Sequence, residues 1–145
     1  MIDNAGLRRG HEAFEHTADV GVHAWGARLT ELFEEAAAGL IEVMLDPASV
    51  QQRESVSVSA EGLEPEGLLV AWLEEVLFAF DARGFAPATA KVTALDQGRV
   101  EGTLAGEPFD RSRHRPRSEV KAVTYHDLAV EKTQRGYEAS VIFDL

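Results

Sequence analysis

The chain has 145 residues, enough for one domain with its own hydrophobic core, and its 45% apolar and 27% charged residues describe an ordinary water-soluble globular protein. It contains no cysteine, which excludes disulfides, thiolate metal sites and cysteine nucleophiles and suits a reducing cytoplasm. Its net charge of −11, from 25 acidic and 14 basic side chains, repels a free polyanion such as RNA and favours a cation or a positively charged partner protein.

Residues 1–10 lack the apolar stretch of a signal peptide and are expected to form a short mobile start, with a single domain over residues 11–145. No apolar run approaches the roughly 18 residues of a membrane span, so a soluble cytoplasmic protein is expected. Over residues 11–25 two extended pieces flank a polar centre, His16-Thr17-Ala18-Asp19. Val20, Val22 and Ala24 alternate there with Gly21, His23 and Trp25 at the period of a strand. The clearest helix follows. Leu29, Leu32, Phe33, Ala36, Leu40, Ile41 and Met44 recur at three- and four-residue spacing. Thr30 is its expected N-cap, Glu31, Glu34 and Glu35 suit the positive end of its dipole, and Asp46-Pro47 ends it.

Ser55, Ser57 and Ser59 alternate with Val56 and Val58, which predicts a half-buried strand. A second helix begins near Pro65, with Leu68, Leu69, Trp72, Leu73, Val76, Leu77 and Phe80 as its apolar positions and Gly84 to close it. Strands are expected over residues 89–95 and 99–104, around a turn at Asp96-Gln97-Gly98. Residues 105–118 read as a loop and residues 119–131 as a further strand. Gln134-Arg135-Gly136 then turns the chain into a last strand over residues 137–143. The sum is an α+β two-layer sandwich, two helices packed on a mostly antiparallel sheet.

No phosphate-binding glycine loop, dinucleotide fingerprint, HExxH or GxSxG occurs. Four segments carry candidate chemistry. His16 and Asp19 put an imidazole and a carboxylate three residues apart between two strands, where an aspartate also commonly makes a turn with its own backbone. Asp144 stands beside the final residue, Leu145; two carboxylates that close repel unless a hard cation sits between them, or unless the strand end is simply hydrated. Arg111, Arg113, Arg115 and Arg117, interleaved with His114, can grip phosphates or lie against the chain's own glutamates. With Phe109 the only aromatic nearby, base stacking has little to work with and direct RNA binding is not expected. Finally, strand alternation puts Glu119 and Lys121 on one face, where they can form an ion pair worth little at a surface, and a lone strand lysine is usually solvated.

Taken together the segments resemble the archease family. The matching pieces are Phe14-Glu15-His16-Thr17-Ala18-Asp19-Val20-Gly21, the amphipathic helix after it, and Leu68-Leu69-Val70-Ala71-Trp72-Leu73-Glu74-Glu75-Val76-Leu77. They continue through Gly106-Glu107-Pro108-Phe109-Asp110, Arg113-His114, Glu119-Val120-Lys121-Ala122-Val123-Thr124-Tyr125-His126 and Val141-Ile142-Phe143-Asp144-Leu145. The resemblance runs from about His11 to the end of the chain, in order.

That resemblance implies a small α+β accessory protein, not an enzyme, which activates the GTP-dependent, tRNA-splicing type of RNA ligase by promoting its guanylylation and repeated turnover. It implies calcium as the bound cation, with magnesium or another divalent ion as alternatives, held by Asp19, Asp144 and the carboxylate of Leu145. It points to Lys121 for ligase activation, with Asp110, His114, Glu119 and His16 as neighbours on the same partner-facing surface. Two other classes stay open at this stage. One is a general chaperone or adaptor for an RNA-modifying enzyme such as a tRNA methyltransferase, with a purely structural metal. The other is a metal-dependent hydrolase using Asp19, Asp144 and His16.

Overall fold

The structure is a computed structural model, and it describes residues 9–145 apart from Thr17 and the side chain of His16. The expected mobile start therefore falls, for residues 1–8, outside the described residues. β1 (Gly10–His16) and β2 (Asp19–Gly26) form a hairpin whose turn passes through Ala18 at a φ of 60°. β2 pairs on its other side with β8 (Gly136–Asp144), which in turn pairs with β6 (Ala122–Val123) and β7 (Glu131–Thr133). A second sheet has the order β3 (Glu54–Glu61), β5 (Arg99–Pro108), β4 (Phe85–Leu95). Every pairing is antiparallel. The expected α+β architecture is present, with the strands divided between two sheets instead of one.

The helices α1 (Leu29–Met44) and α2 (Pro65–Asp81) supply the middle of the core. α1 buries Leu32, Phe33, Ala36, Leu40, Ile41 and Met44, the positions its spacing marks as apolar. It crosses β2 at Gly39, where an added Cβ would stand 2.4 Å from Val22 Cγ1. Gly39→Ala is therefore expected to cost about 1–3 kcal/mol by overpacking, despite alanine's better helix propensity. Urea unfolding checks this, and an unchanged or raised midpoint would contradict the close approach of α1 to β2.

Three local expectations are corrected. The N-cap of α1 is Arg28 and not Thr30, because the Glu31 carboxylate reaches back to accept the N–H groups of Ala27 at 2.9 Å and Arg28 at 3.3 Å. Four residues of the expected loop at 105–118 belong to β5, and the rest forms a strap over the end of α1. Arg117 and Ser118 donate their N–H groups to the Met44 and Val43 carbonyls, which the helix leaves without partners. Finally, residues 119–131 are not one strand. Only Ala122, Val123 and Glu131 pair with β8, while the intervening chain bends towards α2, where the Glu66 carboxylate accepts the Val130 N–H at 2.8 Å.

Candidate functional site

Antiparallel register sets Asp19 directly opposite Asp144, and Ala122 opposite Asp144 from the other side. Directly opposed residues share a sheet face with Cβ atoms about 4.5–5.5 Å apart. Their neighbours Val20 and Phe143 turn inward to the core, so both aspartates face away from it. Asp144 is exposed and Asp19 half-buried. Lys121 donates its backbone N–H to the Asp144 carbonyl at 2.8 Å, and its side chain is exposed. Leu145 packs its side chain against the core, which anchors the end of β8. Three segments far apart in sequence thus meet at one end of the five-stranded sheet.

His16 is opposite Asp19 in the backbone register of the hairpin; its side chain and Thr17 lie outside the described residues. Among the described residues no three His, Asp or Glu side chains converge in a metal-holding arrangement. Asp19 and Asp144 supply two facing carboxylates, so a cation here takes its remaining donors from backbone oxygens and water. The expected Glu119–Lys121 ion pair is not formed among the described residues; both side chains are exposed, and residues 119–121 lie outside any strand that would hold them in alternation.

The arginine strap lies largely against the chain's own acids. Arg113 pairs with Glu107 at 3.1 Å and Asp110 at 3.4 Å, Arg115 pairs with Asp46 at 3.3 Å, and Arg117 donates to the Glu42 carbonyl at 2.9 Å. These contacts reduce its capacity to bind phosphates.

His114, expected on the partner-facing surface, is instead 0% exposed. Its Nδ1 accepts the Asp110 N–H at 2.8 Å, which leaves Nε2 as the protonated nitrogen, donating to Glu107 at 2.8 Å. Asp110 is exposed, but its carboxylate is occupied by the N–H and hydroxyl of Ser112 and by Arg113. His114 and Asp110 are therefore parts of a lock that shapes the strap; neither belongs to the carboxylate end of the sheet. The residue at the centre of the lock, Glu107, carries no sequence signal of its own, because its side chain becomes buried only when the strap folds over it.

Glu107 accepts the Gln51 N–H at 2.9 Å, then His114 and Arg113, and these donors lower its pKa from 4.5 to about 2. A depressed carboxylate stabilises the fold fully above its unfolded value near 4.5, and that contribution disappears as pH falls towards about 2. Glu107→Gln is therefore expected to be less stable than wild type at neutral pH and to lose less stability between those limits. Circular dichroism in fixed urea across that range checks it; parallel acid transitions for the two proteins would contradict the assignment.

Comparison with known proteins identifies the family and the fold. Residues 11–145 match the model of the Archease protein family (MTH1598/TM1083). "Protein archease" of Thermococcus gammatolerans is 41% identical over 128 residues, covering 86% of this chain and 90% of that one. "Protein archease" of Saccharolobus islandicus is 39% identical over 138 residues, covering 94% and 99%. The solution structure of protein 1598 from Methanobacterium thermoautotrophicum is 36% identical, with a TM-score of 0.79 over 94% of this chain and 99% of that one. A Thermotoga maritima crystal structure described as an archease and possible chaperone shares the fold, with a TM-score of 0.67 at 23% identity over 92% of this chain and 96% of that one.

Proposed function

The chain belongs to the archease family, and we propose that it serves in the cytoplasm as an accessory protein that activates a GTP-dependent RNA ligase of the tRNA-splicing type. In this reading it promotes guanylylation and repeated turnover of the ligase and runs no reaction of its own. The observation that supports it most is the meeting of Asp19, Asp144 and Lys121 at one end of the sheet, residues separated by up to 125 positions and brought together by the register of β2 with β8 and the backbone hydrogen bond from Lys121 to Asp144.

The donor chemistry there suits a divalent ion. Asp19 and Asp144 offer oxygen, and the carboxylate of Leu145 is the third donor of this reading. Oxygen-only ligands are those calcium prefers, and magnesium can use the same set. When bound, such an ion supplies a local positive charge and ties the hairpin to the last strand.

The protein residues do the remaining work. Asp19 and Asp144 keep the end of the sheet acidic towards a basic partner surface, and the Leu145 side chain holds the last strand in place. Lys121, exposed and carried on a backbone hydrogen bond to Asp144, presents an ammonium group to the partner. A helper acts only through a difference in affinity for two states of its partner. The surface around Lys121 must therefore bind the nucleotide-accepting state of the ligase better than its resting state.

The test is a single-turnover measurement of ligase guanylylation by labelled GTP, with and without this protein and with Lys121→Ala. The expected result is faster guanylylation with wild type and a loss of at least about tenfold of that gain, about 1.4 kcal/mol, with the variant. No acceleration by wild type would overturn the reading.

A further inference from the structure

At the opposite end of the molecule the two helices begin side by side. The starts of α1 and α2 and the turn between β4 and β5 frame a cavity of about 620 Å³ whose walls include Leu29, Pro65, Leu68 and Leu95. Leu63 stands on its rim and is 98% exposed. It directly precedes Glu64, the N-cap of α2, a position from which an apolar side chain ordinarily folds back onto the fourth helical residue, here Leu68. Leu63 points into solvent instead. An apolar knob and an apolar hole therefore occupy the same patch of surface.

The charges around the patch are arranged in the same way. Arg28 lies on one side, 78% exposed, and its one ion pair among the described residues is a 3.4 Å contact with Glu31. Glu64 and Asp96 are exposed on the same rim, and Glu64 makes neither a cap hydrogen bond nor an ion pair among the described residues. A patch that carries knob beside hole and plus beside minus has the parts that a self-complementary contact about a twofold axis uses. In such an isologous contact residue i meets j and j meets i.

We propose that this face joins two copies of the chain. Leu63 of each copy enters the cavity of the other, and Arg28 of each faces Glu64 of the other. A foreign partner would need only a knob or only a hole; the presence of both favours a second copy. The patch is small beside the roughly 800 Å² per partner of a stable complex, so the dimer is weak and depends on concentration. Along β2 the patch and the Asp19 end are separated by about seven residue steps, about 24 Å at strand rise. Both carboxylate ends of the dimer consequently stay open, and the inference is independent of what those ends do.

Sedimentation equilibrium of the full chain tests it, over loading concentrations from about 10 µM to about 1 mM. The expected result is a reversible shift from monomer to dimer mass in wild type, with association weakened at least about tenfold by Leu63→Glu. Leu63 is fully exposed, so this change leaves folding intact, which circular dichroism verifies. Arg28→Glu and Glu64→Lys should each weaken self-association, because each sets like charges face to face. An equimolar mixture of the two should recover it, since both contacts in the mixed dimer are then between opposite charges. A monomer at every concentration, an association untouched by Leu63→Glu, or a mixture no better than its components would each overturn the proposal.

Discussion

Trp72→Ala is expected to remove about 3–5 kcal/mol of stability, a large share of the about 5–15 kcal/mol that holds a domain together. Trp72 is 0% exposed and links α2 both to α1 and to the three-stranded sheet. Its Nε1–H donates to the Phe33 carbonyl of α1 at 3.0 Å, and its ring covers Gly102 of β5, where an added Cβ would stand 2.6 Å from Cη2. Truncation would therefore open a cavity between α1, α2 and the three-stranded sheet. Trp72→Phe should fall between, keeping most of the packing while losing the hydrogen bond, at about 1–3 kcal/mol. Urea unfolding followed by circular dichroism distinguishes these cases. A Trp72→Ala midpoint within error of wild type would contradict the packing described here.

The second large effect concerns the sheet end. If the sheet end binds calcium as proposed, replacing both Asp19 and Asp144 with alanine is expected to abolish that binding without unfolding the domain, since both side chains face away from the core. A ligand that binds only the folded state stabilises it by RT ln(1 + [L]/Kd), about 2.7 kcal/mol at one hundred times Kd. Wild type should therefore melt at a higher temperature as calcium is added, and the double variant should not respond. Calcium-dependent stabilisation that survives in the double variant would place the cation elsewhere.

The helices were the most legible part of the chain. The spacing of Leu32, Phe33, Ala36 and Leu40, and of Leu68, Leu69, Trp72 and Leu73, is imposed by burial against one face, and all eight are buried. Strands paired along their length, β2 and β8, were legible for the same reason at period two. Residues 119–131 were not. Val120 and Val123 are buried and Leu128 and Val130 partly so, yet only part of the segment finds a strand to pair with. Apolar alternation reports burial, and here burial is achieved by a loop lying on the core.

The site divides in a similar way. Asp19 and Asp144 stood out singly, one at a polar break between strands and one at a strand end, but nothing local says that they face each other. Their opposition is a matter of register between β2 and β8, and its functional meaning came from the family resemblance. The resemblance alone put His114 on the partner-facing surface, whereas its environment is decided by Glu107, seven residues earlier, which holds it buried. The strap's arginines, poised in sequence between phosphate binding and self-pairing, mostly pair with the chain's own carboxylates.

In the proposed function, the end of the sheet carrying Asp19, Asp144 and Lys121 drives repeated turnover of an RNA ligase. The most direct measurement is multiple-turnover RNA joining by the ligase of the same organism with GTP, in the presence of wild type, Asp144→Ala or Lys121→Ala. Many joined ends per ligase are expected with wild type, and about one per ligase with either variant while both remain folded. Wild type that leaves turnover at the level of ligase alone, or variants as effective as wild type, would contradict it.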